Sequence, residues 1–243
     1  GKMEPLAVRK KKFFDTLESE GIKKDIIEAF KAVDPVRFFD RMFQDKFYTN
    51  DFIPVGYGEK SDSIYLAAKM INALSPAENM RILEVGTGSG FSTAVLSLLC
   101  REVFTIEMDE RLAASAKTRL YTLGYENIRF FSGDGTDPEM DLSELDSAII
   151  WGACYKRPIS TLQYVKRRGV MVFPMGPEHM QQIVIIRNEP DVNTGANFKM
   201  SFGEQGIFPP IQGKYGYDKV IDIGSEIMVE TNELDELPEE KDK

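Results

Sequence analysis

Arg81-Ile82-Leu83-Glu84-Val85-Gly86-Thr87-Gly88-Ser89-Gly90-Phe91 decides the fold. Residues 81–85 read as a short buried strand, the glycines as a turn, and residues 91–100 as a helix. A glycine-rich turn at the C-terminal end of a strand is where open α/β sheets bind nucleotides, because absent side chains let a ligand lie against the backbone. Two familiar nucleotide patterns fail. The dinucleotide pattern G-x-G-x-x-G wants a third glycine where Phe91 stands, and the phosphate loop G-x-x-x-x-G-K-[ST] wants a lysine that does not follow Gly90.

Outward from this loop, strands and helices alternate. Residues 103–107 (VFTIE) read as a second strand and 110–123 as a helix. Residues 128–132 and 147–150, extending to Trp151, read as two more strands. Residues 158–167 read as helical, then 169–174 and 182–187 as a strand pair. Such alternation predicts an α/β fold with a doubly wound, mostly parallel sheet. In front lie two amphipathic helices, over 5–20 and 23–33, the second ended by Asp34-Pro35. An aromatic, irregular stretch then closes on Pro54-Val55-Gly56-Tyr57-Gly58. A helix over about 62–74 follows, with Ser61 or Asp62 as its expected cap. Three regions result: a helical region and linker over 1–60, an α/β domain over 61–225 with a C-terminal extension, and an acidic tail over 226–243.

The chain has 243 residues, 39 acidic and 30 basic, for a net charge of −9. The charge is uneven. Residues 1–12 carry +4 and residues 226–243 carry −6, leaving −7 on the body. An acidic body lacks the basic footprint that phosphate backbones require, so no nucleic-acid partner is expected. No stretch approaches the ~20 apolar residues of a membrane helix. No apolar core follows the basic residues near the start, and the chain is placed in the cytoplasm. Two cysteines and one histidine exclude a disulfide framework and multi-histidine metal sites. No metal is expected. Cys154 reads as an inert thiol and His179 as a surface residue.

The pattern E-x-G-x-G-x-G, Glu84 to Gly90, resembles motif I of S-adenosylmethionine-dependent methyltransferases. The following elements agree. Glu107 ends the second strand, where an acid can accept both hydrogen bonds of a ribose diol. Gly133-Asp134-Gly135 follows the third strand. The resemblance narrows to the protein-L-isoaspartate O-methyltransferase family over roughly residues 13–212. The features that carry it are the helix pair (Leu17 to Val33), the linker Tyr48 to Gly58, LEVGTGSGF (Leu83 to Phe91), the G-D-G loop, G-x-x-V-x-P-x-G (Gly169 to Gly176) and Phe208-Pro209-Pro210-Ile211.

This resemblance implies a class I, Rossmann-like methyltransferase. Its cofactor is S-adenosylmethionine, its product S-adenosylhomocysteine, and its partner a protein or peptide bearing isoaspartyl residues. It assigns cofactor binding to Glu84, Gly86, Thr87, Gly88, Ser89, Glu107, Met108, Gly133, Asp134 and Gly135. Asp134 is expected to face the adenine amino group. Methyl transfer to a carboxylate needs no general base, since free carboxyls titrate near ~4. Holding oxygen and methyl in line in a water-poor pocket can suffice.

One segment departs from the family. Where the family reads T-I-S-x-P, this chain reads Lys60-Ser61-Asp62-Ser63-Ile64, with Asp62 in place of the serine. Asp62 is expected near the reacting group, flanked on the substrate side by Ser61, Ser63 and Trp151. An aspartate beside an incoming carboxylate repels it unless it is protonated or paired with Lys60. Two alternatives therefore stand beside isoaspartyl methylation: a methyltransferase with another protein or small-molecule substrate, and a cofactor-binding protein without isoaspartyl activity.

Overall fold

The computed structural model describes residues 4–141, 145–177, 179–223 and 226–231. Two helices, α1 (Leu6–Ser19) and α2 (Lys24–Ala32), lead through two short 3-10 turns into a hairpin of β1 (Ile53–Gly56) and β2 (Glu59–Ser61), and then α3 (Ile64–Leu74). The central run is β3 (Arg81–Val85), α4 (Phe91–Ser97), β4 (Glu102–Glu107), α5 (Glu110–Thr122), β5 (Ile128–Ser132), β6 (Leu145–Ile150) and the single-turn α6 (Ile159–Leu162). Then come β7 (Val165–Met175), β8 (Gln181–Arg187) and β9 (Lys199–Gly206), and finally a hairpin of β10 (Tyr217–Ile223) and β11 (Glu226–Thr231).

Seven strands form one sheet in the order β5-β4-β3-β6-β7-β8-β9. The first five are parallel, and β8 and β9 run antiparallel at one edge. The expected mostly parallel, doubly wound sheet is therefore what forms. Its order reverses between β3 and β6, and the crevice beyond the C-terminal ends of strands at such a reversal is the binding place in open α/β sheets.

The central strands are apolar on both faces because helices cover both. Ile82, Leu83, Val85, Ala148, Ile149 and Ile150 are all buried. The N-terminal region belongs to the same core. Phe91, at the start of α4, lies 6.0 Å from Phe30, 5.9 Å from Phe38 and 5.4 Å from Phe39, ring centre to centre. The aromatic that breaks the dinucleotide pattern is thus the anchor on which residues 30–39 pack. One buried cluster runs across the boundary drawn at residue 60.

Three local expectations are corrected. The helix expected over 158–167 is only Ile159–Leu162, because Val165 already pairs with Leu145 as β7 begins. The cap of α3 is Ser63, whose hydroxyl accepts the Leu66 N–H at 3.1 Å, and not Ser61 or Asp62. The first six residues of the expected acidic tail, Glu226–Thr231, are strand β11, paired with β10; residues 232–243 lie outside the described residues.

Candidate functional site

A cleft of about 980 Å³, counted to its open mouth, lies at the reversal point of the sheet. Its floor is the β3–α4 loop. Its sides are the ends of β4, β5 and β6, and the β1–β2 hairpin and the segment 209–212 complete it. Of the residues expected there, Gly86, Thr87, Gly88, Ser89, Glu107, Met108, Gly133, Gly135, Ser61, Asp62 and Trp151 line the cleft.

The loop's backbone explains its glycines. Gly86, Gly88 and Gly90 have φ of +94°, +55° and +90°, in the region that favours glycine. A Cβ on Gly90 would press on Leu120 at 3.0 Å, so that glycine serves packing against α5. A Cβ on Gly88 would meet no protein atom within 4 Å, and the same holds at Gly133. Both therefore leave backbone bare toward space that a ligand can use. Gly135 differs: a Cβ there would strike Val85 at 2.6 Å, so it packs the β5–β6 connection onto β3.

The carboxylates divide into two kinds. Glu84 is fully buried. It accepts hydrogen bonds from Ser92 Oγ at 2.8 Å, Thr105 Oγ1 at 2.8 Å, Trp151 Nε1 at 2.8 Å and the Thr93 hydroxyl. Burial pushes its carboxyl up, and the four donors pull against that. Glu84 does not line the cleft. The role expected for it, direct cofactor contact, is corrected: its lone pairs are taken by four donors that tie β3, β4, α4 and Trp151 together. Glu107 does face the cleft. Its Oε1 accepts the Gly88 N–H at 2.8 Å and its Oε2 the Asp109 N–H at 3.0 Å. Each oxygen keeps a second lone pair, so a ribose diol can still be accepted.

Asp134 is also corrected. Its Oδ1 accepts from the N–H and hydroxyl of Thr136 at 2.9 and 2.6 Å, and its Oδ2 accepts the Lys214 N–H at 2.7 Å. It is absent from the cleft wall. Its carboxylate holds the segment that follows residues 209–212 instead of facing a base. Ser63, expected on the substrate side, caps α3 and bonds Asn50 at 2.7 Å, away from the cleft.

At the other end, Asp62 is 6% exposed. Its Oδ2 accepts the Gly152 N–H at 3.2 Å, and its Oδ1 is buried without a hydrogen-bond partner. Burial pushes its carboxyl up to about 7, opposed by the Gly152 N–H. Among the described residues, no cation enters that balance. Trp151 both walls the cleft and bonds Glu84 behind it.

The sequence reading missed Glu59 and the wall made by Pro209, Pro210, Ile211 and Gln212. Burial, and then the charges of Glu107 and Asp109, push Glu59 up to about 7, with Arg111 opposing. Its place directly after Gly58 was the available signal. The segment 209–212 is held by Ala153 N–H donating to Pro209 O at 2.6 Å and Ile211 N–H donating to Ala153 O at 3.0 Å.

A seven-stranded, mostly parallel sheet with a bare glycine loop at its reversal and Glu107 on the next strand defines an S-adenosylmethionine-dependent methyltransferase of the class I fold. Comparison with known proteins narrows this. The family model for protein-L-isoaspartate(D-aspartate) O-methyltransferase matches residues 8–214, and the chain belongs to that family. It is 33% identical over 210 residues to a protein-L-isoaspartate O-methyltransferase of Dictyoglomus thermophilum, covering 86% of this chain and 93% of that one. It is likewise 33% identical to that of Pelotomaculum thermopropionicum, covering 86% and 90%. A solved structure described as a candidate enzyme of this name from Plasmodium falciparum, in complex with S-adenosyl-L-homocysteine, superposes with a TM-score of 0.65 at 16% identity. That match covers 82% of this chain and 96% of the other, and it bears on the fold.

Proposed function

We propose that this chain methylates the carboxylate of L-isoaspartyl residues in proteins and peptides, with Gly86, Thr87, Gly88, Ser89, Glu107, Met108 and Gly133 holding the cofactor. The observation that carries the reading is the cleft's composition. The bare backbone at Gly88 lines the same cleft as the hairpin built from the Pro54–Gly58 linker, the part of the sequence most specific to the family.

Bound in the cleft by the β3–α4 loop and Glu107, S-adenosylmethionine would supply an electrophilic sulfonium methyl group for the substrate oxygen. The chain's part is to bind, orient and keep water out. Gly88 and Gly133 offer backbone without side chains, and Glu107 offers its remaining lone pairs to a diol. Val85, Ile106, Leu112 and Ile211 give the wall an apolar lining that limits water. No proton need leave the nucleophile, which is ionised at neutral pH. A cytoplasmic location belongs to the same proposal, and the free, buried thiols of Cys100 and Cys154 fit a reducing compartment.

Asp62 at the serine position favours one second reading, a different acceptor. Transfer of labelled methyl to an isoaspartyl peptide, against the matching aspartyl peptide, separates the two. Isoaspartyl-specific labelling is expected; equal background on both, with cofactor binding intact, would exclude the isoaspartyl reading.

A further inference from the structure

We propose that Asp62 binds the substrate carboxylate as a neutral carboxylic acid, donating its proton in a hydrogen bond to one substrate oxygen while the other oxygen takes the methyl group. The proposal rests on the isoaspartyl reading above. It assigns to a titrating acid the place where the family has a serine.

The geometry leads there. Asp62 lies between β2 and α3 in the wall of the cleft. Ser63 performs the capping that could have occupied Asp62. One Asp62 oxygen is held by the Gly152 N–H, and the other is buried with no partner. A buried ionised oxygen left without a donor is costly. A protonated oxygen is less so, and it is satisfied once an acceptor in the cleft, which Asp62 lines, displaces the atoms that cover it. Two carboxyl groups brought into contact cannot both ionise and must share one proton. The incoming group has to be the ionised partner, since its oxygen lone pair attacks the methyl. The proton therefore resides on Asp62 before, during and after transfer, and the ester's carbonyl oxygen accepts the same hydrogen bond in the product.

The surroundings favour the neutral acid. Titratable neighbours are Glu59 and Lys60 on β2, Cys154 on the loop after β6 and, across the cleft, Glu107 at the end of β4 and Asp109 just beyond it. Residues 208–212 bring none, and at the start of α3 the phenol of Tyr65 is engaged with Glu20 and Glu204. Burial raises the Cys154 thiol, and the charges of Asp134 and Asp62 raise it further, so it stays neutral beside Asp62. With Asp62 pushed up to about 7, its proton is available through neutral pH and lost above it. Glu59 titrates in the same range and needs its own control.

The test is the pH profile of kcat/KM for an isoaspartyl peptide in the wild type, Asp62→Ser and Glu59→Gln. Emission of Trp151, the sole tryptophan, monitors cofactor binding in each. In the wild type, kcat/KM should hold to about pH 7 and then fall about tenfold per pH unit. The fall should vanish in Asp62→Ser, whose hydroxyl does not titrate, and persist in Glu59→Gln. A second readout avoids turnover. Calorimetry of peptide binding with S-adenosylhomocysteine present, at pH 8 in buffers of different ionisation heat, should show uptake of about one proton per peptide in the wild type and none in Asp62→Ser.

An active wild type with a flat profile to pH 9, or the same fall and proton uptake in Asp62→Ser, overturns this role and leaves the isoaspartyl reading standing. Activity in Asp62→Ser alone would make Asp62 a barrier instead of a donor, again overturning only this role. No transfer by either protein at any pH, with cofactor bound, sinks both readings.

Discussion

At the cofactor end of the cleft the carboxylates are held from several sides, whereas at the substrate end Asp62 keeps one oxygen empty. Glu84 accepts four side-chain donors and Glu107 two backbone amides. Asp62 accepts one. Groups satisfied before ligand arrives are preorganised, and they fix the loop for a cofactor of constant shape. A buried oxygen left without a partner has its interaction in reserve for whatever enters. The difference separates a scaffold shared with other methyltransferases from the feature that distinguishes this chain.

The largest effect should come from filling the cofactor end. Gly88→Val places a branched side chain where no protein atom lies within 4 Å, so the collision is with ligand. We expect affinity for S-adenosylhomocysteine to drop by at least about 100-fold, or about 3 kcal/mol, in a calorimetric titration. The φ of +55° adds local strain of about 1 kcal/mol, so melting should shift modestly. Unchanged affinity would move the cofactor elsewhere.

Next is the scaffold behind the loop. Glu84→Gln keeps the shape but turns an amide N–H2 toward Ser92, Thr93, Thr105 or the Trp151 indole, whose N–H can only donate. Loss of charge-assisted bonds at a fully buried site should cost about 3 kcal/mol, lowering Tm by about 6–12 °C in calorimetry. Melting like the wild type would mean that the four contacts contribute little. The contrast with Asp62 would then weaken.

What was legible in the sequence follows the same division. Gly86, Gly88 and Gly90 are readable because a positive φ is a local demand that glycine answers, and the strands around them announce themselves by apolar runs. The roles of Glu84 and Asp134 are set by partners far along the chain. Trp151 stands 67 residues after Glu84, and Lys214 stands 80 after Asp134. A motif places such an acid at a strand end without saying which way its oxygens turn. The helix over 158–167 failed for a related reason, since pairing of Val165 with Leu145 overrides local preference. The wall at residues 209–212 was visible as a family segment, but its contact with Ala153 is tertiary. Asp62 was conspicuous as a departure from the family; only the fold shows Ser63 taking the cap and leaving the Asp62 oxygen empty.

The smallest expected effect tests the correction at Asp134. Asp134→Asn can keep the bonds from Thr136 with its carbonyl oxygen, but its N–H2 then meets the Lys214 N–H, donor against donor. Loss of that one bond should cost about 1 kcal/mol, equivalent to about fivefold. The segment it holds directly follows Pro209 to Gln212 of the cleft wall, so the loss should appear mainly as a raised KM for peptide. Hydrogen exchange should quicken over 213–217, while affinity for S-adenosylhomocysteine stays within about twofold. If cofactor affinity fell as far as peptide KM rose, Asp134 would be touching the cofactor after all. The cofactor end would then, like the substrate end, keep an acid for its ligand.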